Sequence, residues 1–151
     1  MPRPVYIVCH QTGMEDRETG LISLFFLIEK LQVTQLPLPP SGQVMLIPQL
    51  LFRVVAAWMR NPDDAPDQEY DWEMLLTYPP GGPAPTLLLG TGRFRFDLNR
   101  PLHRFTANVQ GQLPLGPPGL LVAESKVRRV GEADWQSQTY PIIIEPLQPP
   151  A

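Results

Sequence analysis

A chain of 151 residues with 43% hydrophobic and 18% charged side chains has the size of one domain, enough apolar mass for one core, and too little charge for disorder. A net charge of −3 with a pI near 5.3 offers no overall attraction to nucleic acid or to an anionic membrane surface. No apolar run approaches the ~18 residues of a membrane-spanning helix, so neither partner is expected.

The 20 prolines are spread along the whole chain beside 11 glycines. Proline lacks an N–H and breaks helices and central strands, so this spacing predicts short strands joined by turns. Cys9 is the single cysteine, which excludes an internal disulfide and a cysteine-based zinc site. It sits among Val5, Tyr6, Ile7 and Val8, where it reads as a small buried hydrophobe rather than a redox or catalytic thiol. The opening Met1-Pro2-Arg3-Pro4 leads into an apolar run with no small-residue cleavage pattern, and a cytoplasmic location is expected.

Eight segments follow in order. The first strand covers about Val5 to Gln11, and a polar, glycine-bracketed connection from Thr12 to Gly20 leads to a second segment from Leu21 to Val33. That segment is too uniformly apolar for periodicity to separate strand from helix; β-branched and aromatic content, Gly20 and Pro37 favour a strand, while Glu29 and Lys30 keep a helix open. Gln43 to Arg60 alternates in its second half, with Phe52, Val54, Ala56 and Trp58 on one face. After the loop Asn61 to Asp67, five large residues recur at period two: Tyr70, Trp72, Met74, Leu76 and Tyr78. Thr86 to Leu98 places Phe94, Phe96 and Leu98 on a core face against Arg93, Arg95 and Asp97, with Gly90 and Gly92 marking a bulge. Leu102 to Gln112 turns Phe105, Ala107 and Val109 inward. A proline-glycine corner from Leu113 to Gly119 then precedes a last hairpin, Leu120 to Val130 and Trp135 to Glu145, with a frayed tail at 146–151. The fold class expected is therefore all-β: one antiparallel β-sandwich, or a small barrel, of about eight strands spanning residues 1–151.

Several of these features together resemble a family of small bacterial β-sandwich proteins with no established function. They are the opening strand, the turn ending Glu18-Thr19-Gly20, the strand with Ser23, the long strand ending in Trp58, the corner before Leu120, and the terminal strand from Trp135 to Tyr140. Similar corners occur in immunoglobulin-like and C2-type sandwiches. The resemblance implies a fold and a bacterial origin, and it assigns no catalytic residue and no cofactor.

The candidate chemistry is sparse. His10 and His103 lack any zinc-ligand spacing, and the hydrolase and phosphate-loop motifs are missing. An enzyme would have to use His10 with nearby carboxylates such as Glu15 and Asp16; the plainer reading of His10 is a solvated residue at a strand end. Asp63, Asp64, Asp67, Glu69 and Asp71, with Glu73 beyond them, form the densest acidic run. Such a loop could hold calcium in a lipid-binding sandwich, but it lacks the spacing of a calcium loop, and a solvated loop is the simpler reading. The chain is electrically polarised: residues 1–75 carry five basic and ten acidic groups, and residues 76–151 carry seven and five. Arg93, Arg95 and Arg104 could share a wet face and contact an anionic partner, or pair with acids such as Asp97. Leu21 to Leu31 has more apolar side chains than one buried face requires, which makes Phe25 and Phe26 candidates for an interface. The function expected is a non-catalytic binding or assembly module, with a protein partner or a second copy as its target.

Overall fold

The structure, a computed structural model, describes residues 1–15, 22–33, 45–47, 52–78, 86–109, 113–115 and 119–146. Eleven strands lie within them: β1 (Arg3–Glu15), β2 (Ile22–Leu27), β3 (Lys30–Val33), β4 (Met45–Ile47), β5 (Phe52–Met59), β6 (Glu69–Thr77), β7 (Thr86–Arg95), β8 (Leu102–Val109), β9 (Leu113–Leu115), β10 (Gly119–Arg129) and β11 (Gln136–Pro146). No helix occurs among the described residues, and none is therefore long and apolar enough to cross a membrane. The strands form a four-stranded sheet in the order β2-β1-β5-β8 and a five-stranded sheet in the order β3-β11-β10-β6-β7. The fold is a β-sandwich, not a closed barrel.

Eleven strands are described where eight segments were expected. The apolar segment after Gly20 is strand on either side of Ile28 and Glu29, where it leaves one sheet for the other. The Ile28 N–H donates to the Cys9 carbonyl at 2.8 Å, and the Glu29 carbonyl accepts from Ile143 N–H at 2.9 Å. Upstream, β2 pairs antiparallel with β1; downstream, β3 pairs parallel with β11. A segment that serves two sheets meets two sets of neighbours, which accounts for apolar residues without the alternation of one half-buried strand. The long strand expected after Pro48 is β5, a short β4 is described ahead of it, and β9 lies within the expected corner. Among the described residues β5 pairs with β8 from Met59↔Leu102 to Phe52↔Val109, and β4 pairs with β9 from Ile47↔Leu113 to Met45↔Leu115.

The core lies between the sheets. Alternation turns Ile7, Cys9, Phe52, Val54, Ala56, Trp58, Phe105, Ala107 and Val109 in from one side, and Tyr70, Met74, Leu76, Leu121, Ala123, Val127, Ile142 and Ile144 from the other. At the centre, Trp58 Nε1–H donates to Ser125 Oγ at 3.0 Å, so the one polar side chain buried among the inward residues of β10 has a partner from the facing sheet. Trp72 lies flat across β7 because Gly90 and Gly92 lie beneath it: a Cβ on either would stand 2.9 Å from the indole. The β6–β7 register slips beside this contact, between Met74 and Leu75, where the bulge was expected.

Between β7 and β8, Phe94, Phe96 and Phe105 pack around His103, whose ring lies 4.7 Å from both Phe94 and Phe105. Burial lowers the His103 pKa and favours the neutral ring. Leu98 departs from its expected place. The strand ends at Arg95, a turn closed by the Asp97↔Arg100 bridge follows, and Leu98 stands 60% exposed at its tip.

Candidate functional site

Two carboxylates from the acidic run organise different regions. Asp64, in the loop between β5 and β6, has a fully buried side chain. Its Oδ1 accepts from Arg129 Nη2 and from the Met1 amine at 3.0 Å, and its Oδ2 accepts from Tyr70 O–H at 2.7 Å. Arg60 Nη2 donates to the Asp64 carbonyl at 2.8 Å, tying the loop to the end of β5. Burial works to raise the Asp64 pKa, but the hydrogen bonds from Tyr70, Arg129 and the amine outweigh it and hold the carboxyl at about 2. Tyr70 shifts upward, from burial first and then from the adjacent carboxylate.

Asp71 points the other way, onto the outer face of the five-stranded sheet. It accepts from Arg93 Nε at 3.2 Å and Arg128 Nε at 3.3 Å, and the Arg128 guanidinium lies 4.4 Å above the Trp135 ring. These residues, with Glu73, Thr91 and Gly92, line a shallow open groove of about 540 Å³.

Register extends the pattern into stripes. Arg95, Arg93 and Thr91 of β7 lie opposite Glu69, Asp71 and Glu73 of β6, and Asp71 and Glu73 in turn lie opposite Arg128 and Lys126 of β10. Ser137 and Thr139 of β11 come next, opposite Lys126 and Glu124. Crossing the face at the levels of Asp71 and Glu73 therefore meets Arg93 and Thr91, two acids, two bases and a neutral polar column, with β10 turning acidic farther along at Glu124. Arg95 bonds Glu69 at 2.8 Å, and Lys126 bonds Glu124 at 3.5 Å. Farther along the strands the same face turns apolar, with Leu88 at 54% exposure and the cross-strand pair Leu120 and Ile143 at 49% and 45%.

The sequence candidates are thus dispersed. Glu69 and Asp71 face Arg95 and Arg93, while Asp63 and Asp67 are exposed in the loop and Asp64 is buried beneath it. Among the described residues no three His, Cys, Asp or Glu side chains are placed to share a metal ion. Arg104 does not join Arg93 and Arg95. It lies on β8 of the other sheet, where its Nε donates to Tyr6 O–H at 3.2 Å. Tyr6, Ala57 and Arg104 are successive cross-strand neighbours, so this bond passes over Ala57 and helps to bury a residue on an outer face.

His10 is not at a strand end. β1 continues to Glu15, and the residue is 2% exposed with neither ring nitrogen hydrogen-bonded among the described residues. Asp16 and the side chains of Glu15, Phe25 and Phe26 lie outside the described residues. Cys9 is fully buried, and desolvation pushes its thiol up to about 12, which suppresses the nucleophilic thiolate. Trp135, Lys126 and Thr91 belong to the striped face but were not singled out from sequence, because what joins them is strand register.

No known family model matches the chain, and no curated protein matches it in sequence.

Proposed function

We propose that this chain is a non-catalytic binding or assembly module of the bacterial cytoplasm, and that the outer face of its five-stranded sheet is the recognition surface. The observation that carries this reading is the joining, on one exposed face, of ordered charge columns with an apolar zone formed by Leu88, Leu120 and Ile143. Charge columns give specificity and register to an encounter, and apolar residues beside them supply area to be dried. The groups an enzyme would need lie apart: Cys9 and His10 in the interior, Asp64 locked beneath its loop, and Asp71 between two arginines. The buried free thiol suits a reducing compartment, and the resemblance to a bacterial sandwich family supports the origin.

Site-specific photo-crosslinking in bacterial cells tests the reading. A photoreactive residue at Leu88 is expected to capture protein, and one at Thr106, exposed on the other sheet, is not. Equal yields from the two positions would overturn the choice of face.

A further inference from the structure

We infer that the partner of this face is a second copy of the same chain, docked about a two-fold axis that lies in the plane between the faces and runs along the strands between β6 and β10. The inference rests on the reading above that this face is the recognition surface. Its basis is the order of the columns. An isologous interface places each patch against its own symmetry mate, so the face must complement itself.

Two arrangements of an in-plane axis differ in sign. An axis across the strands sets β6 on the partner's β6, laying Asp71 and Glu73 over acids and Lys126 and Arg128 over bases. An axis along the strands, midway between β6 and β10, exchanges these two columns instead. Glu73 and Lys126 share one level of the ladder, and Asp71 and Arg128 share the next, so each acid then lies over a base of the other copy. The same operation carries β7 onto β11. Arg93, level with Asp71, falls over the Trp135 ring of the other chain, and Thr91 falls over Ser137. Arginine over indole is the contact that Arg128 already makes within the chain.

The fit sets the expected strength. Four columns about 4.8 Å apart, each about eight residues long at ~3.4 Å per residue, offer roughly 500 Å² of flat area per copy. The total of about 1,000 Å² is near the lower limit for a specific interface, which points to a dimer forming in the micromolar range and weakening with salt.

Sedimentation velocity from micromolar to a few hundred micromolar tests this with two charge reversals, Glu73→Lys and Lys126→Glu, each checked for fold by its melting temperature. The wild type is expected to dimerise, and each variant alone is expected to lose at least tenfold in association, since each then sets like charges together twice. Mixing the two variants is expected to restore dimer, because both symmetry-related contacts again pair opposite charges. A wild type that stays monomeric overturns the inference while leaving the recognition face to the crosslink at Leu88. A wild-type dimer that both variants keep, or that mixing fails to restore, places the contact elsewhere and also overturns it. Should either reversal lower the melting temperature by more than a few degrees, Glu73→Gln and Lys126→Gln replace them, with a weakened dimer for each variant alone and partial recovery on mixing as the expected pattern, since the mixed dimer keeps one of its two Glu73–Lys126 contacts.

Discussion

Asp64 and Asp71 lie seven positions apart, and each meets an arginine of β10, yet they do opposite things. Asp64 is shut away from water, its two carboxylate oxygens accepting from three donors, and it pins together the end of β5, the start of β6 and the end of β10. Asp71 stands on an open face between guanidiniums whose side chains are 58% and 33% exposed, and water screens all three groups. The same pair of residue types is thus a structural clamp in one place and part of the proposed recognition face in the other. What separates them is desolvation: removing one partner of a buried pair strands a charge, whereas removing one on the surface lets water take its place.

Substitution should show this asymmetry directly. Asp64→Ala leaves the partly covered Arg129 without its carboxylate and Tyr70 without its acceptor, and should lower unfolding stability by about 3 kcal/mol in urea titration. A loss below about 1 kcal/mol would erase the distinction between the two sites. Acid provides the next test. The Asp64 carboxyl is held at about 2, below its unfolded value, so its contribution is complete above pH ~4 and is lost as the pH falls toward 2. The stability gap between wild type and Asp64→Ala should therefore shrink by about 2 kcal/mol between pH 5 and pH 2. Tyr70→Phe removes one donor to the buried carboxylate and keeps the ring packing on Phe94 and Phe96; it should cost about 1.5 kcal/mol. Asp71→Ala should cost less than about 1 kcal/mol, and the cost should fall further in high salt, which would leave that for Asp64→Ala nearly unchanged.

What the sequence disclosed about these regions follows from the range of each signal. Period-two alternation is local, so the inward set Tyr70, Trp72, Met74, Leu76 and Tyr78 was legible, as were the glycines at the bulge and the final hairpin. Alternation does not say when a strand stops or changes sheets. Leu98 continues the pattern of Phe94 and Phe96 but belongs to the turn after β7, and the segment beyond Gly20 hides its passage from one sheet to the other at Ile28. The site was less legible for the same reason. The acidic run and the arginines were visible as separate clusters, but which acid meets which arginine depends on pairing between β6, β7 and β10, as for Asp71 and Arg128, 57 positions apart. Arg104 was grouped with Arg93 and Arg95 by nearness along the chain, although a turn sends it to the opposite sheet.

The passage at Ile28 and Glu29 also orders events in time. β3 comes early in the chain, but its pairing partner in the sheet is β11, so the Lys30↔Ile143 contact closes a span of more than a hundred residues. A ribosome must deliver the polypeptide through the last strand before that parallel register can exist, and long closures of this kind slow folding toward the millisecond-to-second range. Until then both edges of β3 lack their pairing, and unpaired strand edges in a chain still being made favour aggregation.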